Sequence, residues 1–88
     1  MSATVTEMLV SRIASAVDRY GHFASTHEAM GVAAEEWDEL REQIRANNIV
    51  AIRNEALDLA AVMLRLAQAC DEDHQSAAGT AFGKRSIK

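Results

Sequence analysis

Apolar residues return every fourth position near the start of the chain, at Val5, Leu9, Ile13 and Val17, with Met8, Ala16 and Tyr20 beside them. That period is the stripe of an amphipathic first helix, capped by Thr4 or Thr6 and ended by Gly21. Gly21-His22-Phe23-Ala24 reads as a connector, and Ser25-Thr26-His27-Glu28 has the Ser-x-x-Glu spacing of a capping box that opens a second helix. This helix is expected to run to about Ala46 with Met30, Ala33, Trp37, Leu40 and Ile44 as its apolar stripe. Asn47-Asn48 should stop it, because Asn tolerates the left-handed conformation a helix end often needs. A stop of two residues makes the second and third helices an antiparallel hairpin.

The third helix, expected over Ile49 to Cys70, is apolar on nearly all sides between Ala56 and Ala67 and belongs at the centre of a bundle. A lone three-helix unit rarely buries one helix so fully, so a second copy of the chain is expected to cover it. The fold class is therefore all-α. It is a short bundle of three helices per chain with an antiparallel hairpin core, completed by homo-oligomerisation into a four-helix-type bundle. Residues 1–75 form the single domain, and Ser76 to Lys88, with two glycines and three basic residues, reads as a flexible basic tail.

Composition narrows the picture. No proline and four glycines in 88 residues leave few points at which a helix must break. A net charge of −4 argues against a nucleic-acid surface, which needs clustered Lys and Arg, but leaves a nucleotide open if a metal carries the positive charge. Cys70 is the only cysteine, so no intrachain disulfide forms and a reducing cytoplasm is the expected location. Met1-Ser2-Ala3-Thr4 lacks a basic, apolar leader. The Ala56 to Ala67 run is too short to span a bilayer and contains Asp58 and Arg65, so no membrane anchor is expected.

The candidate chemistry lies in two acidic groups, Glu35-Glu36-Trp37-Asp38-Glu39 and Glu55-Ala56-Leu57-Asp58. Residues three apart neighbour each other on adjacent helical turns, so Glu36 with Glu39 and Glu55 with Asp58 each present two carboxylates side by side. Stepping about 100° per residue places Glu36 and Glu39 on one flank of the apolar stripe and Asp58 inside the apolar arc near Val62. A desolvated carboxylate must be paired, protonated or metal-bound. Neither Arg53 nor Arg65 is a three-or-four neighbour of Asp58, which leaves an ion pair across the bundle as the structural alternative to a metal. An all-oxygen carboxylate set suits Mg²⁺, with Mn²⁺ the alternative.

The order Glu35-Glu36-x-x-Glu39, a short linker, then Glu55-x-x-Asp58 ahead of the apolar run Leu59 to Leu66 resembles the MazG-like all-α nucleoside triphosphate pyrophosphohydrolases, over roughly Glu28 to Gln68. The resemblance implies Mg²⁺-dependent hydrolysis of a nucleoside triphosphate to the monophosphate and pyrophosphate, by a homodimer or a dimer of dimers. It implies Glu36, Glu39, Glu55 and Asp58 as metal ligands, with Glu35 and Glu36 as the catalytic acids. Fuller members of that family carry more after the position of Asp71. The alternative expectation is a helical interaction module that binds a metal or a nucleotide without turnover.

Candidates for contacts to substrate are His27 beside the capping box, Trp37, and Lys84 and Arg85 in the tail. Each has a plainer reading, as a capping-turn histidine, a core tryptophan and a solvated tail. His22 and His74 lack the Glu-x-x-His spacing of a di-iron bundle, and Cys70 has no patterned partner.

Overall fold

The computed structural model describes residues 3–75 and contains three helices, α1 (Val5–Tyr20), α2 (Thr26–Ala46) and α3 (Ile49–Gln75), with no strand among the described residues. The ends of the first two helices are set by local chemistry. Thr4 caps α1 in a complete capping box: its hydroxyl accepts from the Glu7 N–H at 3.1 Å and its own N–H donates to the Glu7 carboxylate at 2.8 Å. Ser25 accepts from the Glu28 N–H at 3.0 Å, but the returning Glu28 carboxylate takes the Ala24 N–H, one residue earlier than a regular box.

The two asparagines divide the hairpin turn between them. Asn47 adopts φ 57° and ψ 37°, and the N–H groups of Asn47 and Asn48 return to Ile44 and Gln43 as in a Schellman ending. Asn48 then caps α3, its side-chain oxygen accepting from the Ala51 N–H at 3.2 Å. The third helix runs five residues past the expected end at Cys70, to Gln75. The acidic run Asp71-Glu72-Asp73 extends the helix instead of ending it. The expected tail over Ser76 to Lys88 lies outside the described residues.

α3 is the central element: α1 and α2 both pack on it and not on each other. Its burial is nevertheless one-sided. Phe23, Ala29, Val62 and Ala69 form the core cluster, with Val32, Ala33 and Leu66 packed against it, and Leu40, Leu57 and Ala61 are also buried. Three of these are alanines, so the core removes little apolar area from water. Met30, Trp37 and Ile44 of α2 and Ile49, Val50, Met63 and Leu64 of α3 stay exposed. The second-helix stripe is thus split, with Leu40 inside, Ala33 half-buried and Met30, Trp37 and Ile44 outside. Trp37 is not a core residue. No helix among the described residues is long and apolar enough to cross a membrane.

Candidate metal centre and the adjoining cavity

The hairpin brings three of the four expected acids together. Glu36 and Glu39, one turn apart on α2, meet Glu55 from α3, and each offers one carboxylate oxygen within 4.8 Å of the others. Glu36 and Glu55 are half-buried, while Glu39 is exposed. Glu36 Oε1 and Glu55 Oε1 are shut off from water and have no hydrogen-bond donor. Such orphaned oxygens are costly to a small fold. Burial, reinforced by the charges of Glu39, Asp58 and Glu55, pushes the Glu36 carboxyl up to about 7. Burial, with Glu39 and Asp58 nearby, also raises Glu55. Three converging carboxylate oxygens are the donor chemistry a hard divalent cation takes, so the donor set fits Mg²⁺ or Mn²⁺.

Asp58 is placed differently from the sequence expectation. It lies at the edge of α3, its side chain 39% exposed, and forms an ion pair with Arg12 of α1. The same guanidinium donates to the Asn54 carbonyl at 3.3 Å and to the Asn54 side-chain oxygen at 3.2 Å. Arg12, 46 residues away in sequence, is the partner that a search of near neighbours on the helix misses. Asp58 stands apart from the three-glutamate group, yet its charge reaches both Glu36 and Glu55.

Between α1, the connector and the hairpin lies a cavity of about 620 Å³, walled by Arg12, Arg19, Tyr20 and Arg65 and bordered by the acids Glu35, Glu36 and Asp58. Glu35, exposed to solvent, lines the same cavity wall as Glu36. The connector beneath it is braced from α3, where Arg65 donates to the Gly21 carbonyl at 3.1 Å and lies over the Phe23 ring. Phe23 is consequently a core residue.

The other candidates stand elsewhere. His27 borders a separate, apolar depression with Met30, Ala33, Met63 and Leu66. Trp37 lines neither hollow. Lys84 and Arg85 lie outside the described residues. Arg12, Arg19 and Asn54 are the polar groups that sequence reasoning missed. Only the Arg12 side chain carried a signal, as a charge beside the half-buried stripe of α1. No protein-family model, curated protein or solved structure matches the chain.

Proposed function

We propose that the protein is a divalent-cation-dependent nucleoside triphosphate pyrophosphohydrolase, converting a ribo- or deoxynucleoside triphosphate to its monophosphate and pyrophosphate in the cytoplasm. The observation that carries the reading is the pair of donorless oxygens on Glu36 and Glu55, converging with Glu39, with Glu36 also lining an arginine-walled cavity. Glu36, Glu39 and Glu55 would hold the cation, with Asp58 as a fourth ligand. Mg²⁺, or Mn²⁺ in its place, would supply neutralisation of charge at the phosphates. Arg19 on the cavity wall offers a planar donor for phosphate oxygens. Glu35, which stands on the same cavity wall as Glu36 and is outside the ligand set, would be the carboxylate free to take a proton from an attacking water, with Glu36 beside it at the cation.

The active form is a homodimer or a dimer of dimers. Met30, Trp37 and Ile44 recur seven residues apart on α2 and stay exposed, as do Ile49 and Met63, fourteen apart on α3. Such a seam is what a partner helix covers in a larger bundle.

The second reading is a binding module without turnover. It draws on the Arg12–Asp58 pair, which leaves three acids rather than four free for a cation. One experiment separates the two. The purified chain is incubated with a panel of nucleoside triphosphates, with Mg²⁺ and then with chelator, and pyrophosphate is measured. Release that requires Mg²⁺ and disappears in Glu36→Gln supports the enzyme. Thermal stabilisation by Mg²⁺ without release from any triphosphate leaves the binding module.

A further inference from the structure

Of the three arginines that line the cavity, two are occupied. Arg12 is held by Asp58 and Asn54, and Arg65 by the Gly21 carbonyl and the Phe23 ring. Arg19 has no acceptor among the described residues; its guanidinium lies over the Tyr20 ring, 5.8 Å from the centroid, and its N–H donors face solvent. Tyr20 is the matching case among the aromatic rings. Phe23 is buried with its ring covered by Arg65, and Trp37 lines neither hollow, whereas Tyr20 lines the cavity and stays 71% exposed. The opposite wall, on α2, carries Glu28, Glu35 and Glu36 and no cation, so an anionic group in the cavity is repelled there and drawn to α1. Ala61 and Val62 of α3, both buried, give the space between the walls an apolar floor. A volume of about 620 Å³ is that of a small-molecule site.

We propose that Arg19 and Tyr20 form the recognition corner of this cavity for a ligand that joins a flat aromatic ring to an anionic group: the ring stacks on Tyr20 and the Arg19 guanidinium binds the anion. Consecutive residues at the end of one helix supply both contacts, so ring and charge lie close together on the ligand. Two kinds of molecule share that chemistry, a nucleoside phosphate and a smaller aryl phosphate without a sugar. The proposal rests on the nucleotide reading above only for placing a ligand in this cavity. It needs no bound cation, so the two fail separately.

The test titrates the full chain, in chelator, with the nucleoside 5′-monophosphates of the common bases, with phenyl phosphate and with ribose 5-phosphate. Tyr20 is the only tyrosine, so its ring resonances are read without ambiguity. A ring-bearing anion should move them upfield in the wild type, and ribose 5-phosphate at the same concentration should not. Tyr20→Ala should weaken binding of the ring-bearing anion roughly tenfold, Tyr20→Phe by less than about twofold, and Arg19→Gln roughly tenfold. Both side chains are exposed, so neither substitution opens the core, and circular dichroism checks that the helices persist. Stationary tyrosine resonances in the wild type, an equal shift with ribose 5-phosphate, or full affinity in Tyr20→Ala or Arg19→Gln each overturn the corner. Binding of phenyl phosphate but of no nucleoside monophosphate keeps the corner and takes the nucleotide from it. Binding of a monophosphate at the corner without hydrolysis of any triphosphate keeps the corner and removes the enzyme.

Discussion

The guanidinium of Arg65 lies over the ring of Phe23, 4.2 Å from its centroid, and donates to the Gly21 carbonyl next to it in the connector. One side chain of α3 therefore pins both the ring and the backbone that carry the chain from α1 to α2. Phe23 is the largest buried side chain of the core cluster, so Phe23→Ala should remove about 3 kcal/mol of stability. Arg65→Met, which keeps the apolar stem and loses the ring contact and the hydrogen bond, should remove about 1 kcal/mol. Thermal unfolding checks both. A Phe23→Ala protein of unchanged melting temperature but weakened nucleotide binding would instead give Phe23 a role against the nucleotide.

Glu36 makes stability depend on pH in a definite direction. Burial pushes its folded carboxyl up to about 7 from the ordinary value of 4.5 that it regains on unfolding, so between these values the folded state holds more protons than the unfolded state. Stability is therefore greatest below the unfolded value and is lost as pH rises towards 7. In chelator, the wild type should be of order 1–2 kcal/mol more stable at pH 5 than at pH 8, after allowance for solvent screening. Glu36→Gln should flatten most of that slope. Urea unfolding at the two pH values measures it, and a wild type that gains stability on going from pH 5 to 8 contradicts the raised carboxyl.

Asn47 sits in the left-handed region at φ 57°. Glycine enters that region without a clash, whereas a β-carbon without a helpful polar group is strained there. Asn47→Gly should thus leave stability unchanged or raise it by a few tenths of a kcal/mol, while Asn47→Ala should lower it by about 1 kcal/mol. Because the hairpin register brings Glu36 and Glu39 to Glu55, the alanine variant should also weaken Mn²⁺ binding. Paired thermal melts and titrations test the link.

What the sequence made legible was local. The caps at Thr4, Ser25 and Asn47 and the three helices follow from signals within four residues of one another, and the convergence of Glu36, Glu39 and Glu55 follows from those helices plus a two-residue turn. The parts that stayed hidden are long-range. Arg12 finds Asp58 across 46 residues, and Arg65 finds Gly21 across 44. A helical period says which residues share a face but not which neighbour that face meets. Asp58 was placed inside the apolar arc with an ion pair across the bundle left open, and the pair is what forms, with an arginine of α1 that the period could not name, while Trp37 was assigned to the core when it lies outside it. The end of α3 was also misjudged, since acidic residues punctuate a hydrophobic pattern without ending a helix.

That exposed tryptophan gives the sharpest test of assembly. Stepping about 100° per residue around α2, Met30, Trp37 and Ile44 fall on one flank of the buried Ala29 and Leu40, whereas Glu35 and Glu39 fall on the other. Met30 and Met63 line one depression, so the apolar flanks of the two hairpin helices are continuous there, on the side away from the cavity. A large apolar surface left in water by so small a core is the mark of a docking face. Trp37→Glu with Ile44→Glu places two like charges in that face and should convert an assembled wild type to a monomer with its helices intact, as sedimentation equilibrium would show. Because the altered flank is not the acidic one, the monomer should still bind Mn²⁺. A wild type that is monomeric at every concentration removes the oligomer from the proposal, and a monomeric variant that loses Mn²⁺ shows that the acid cluster depends on the partner for its shape.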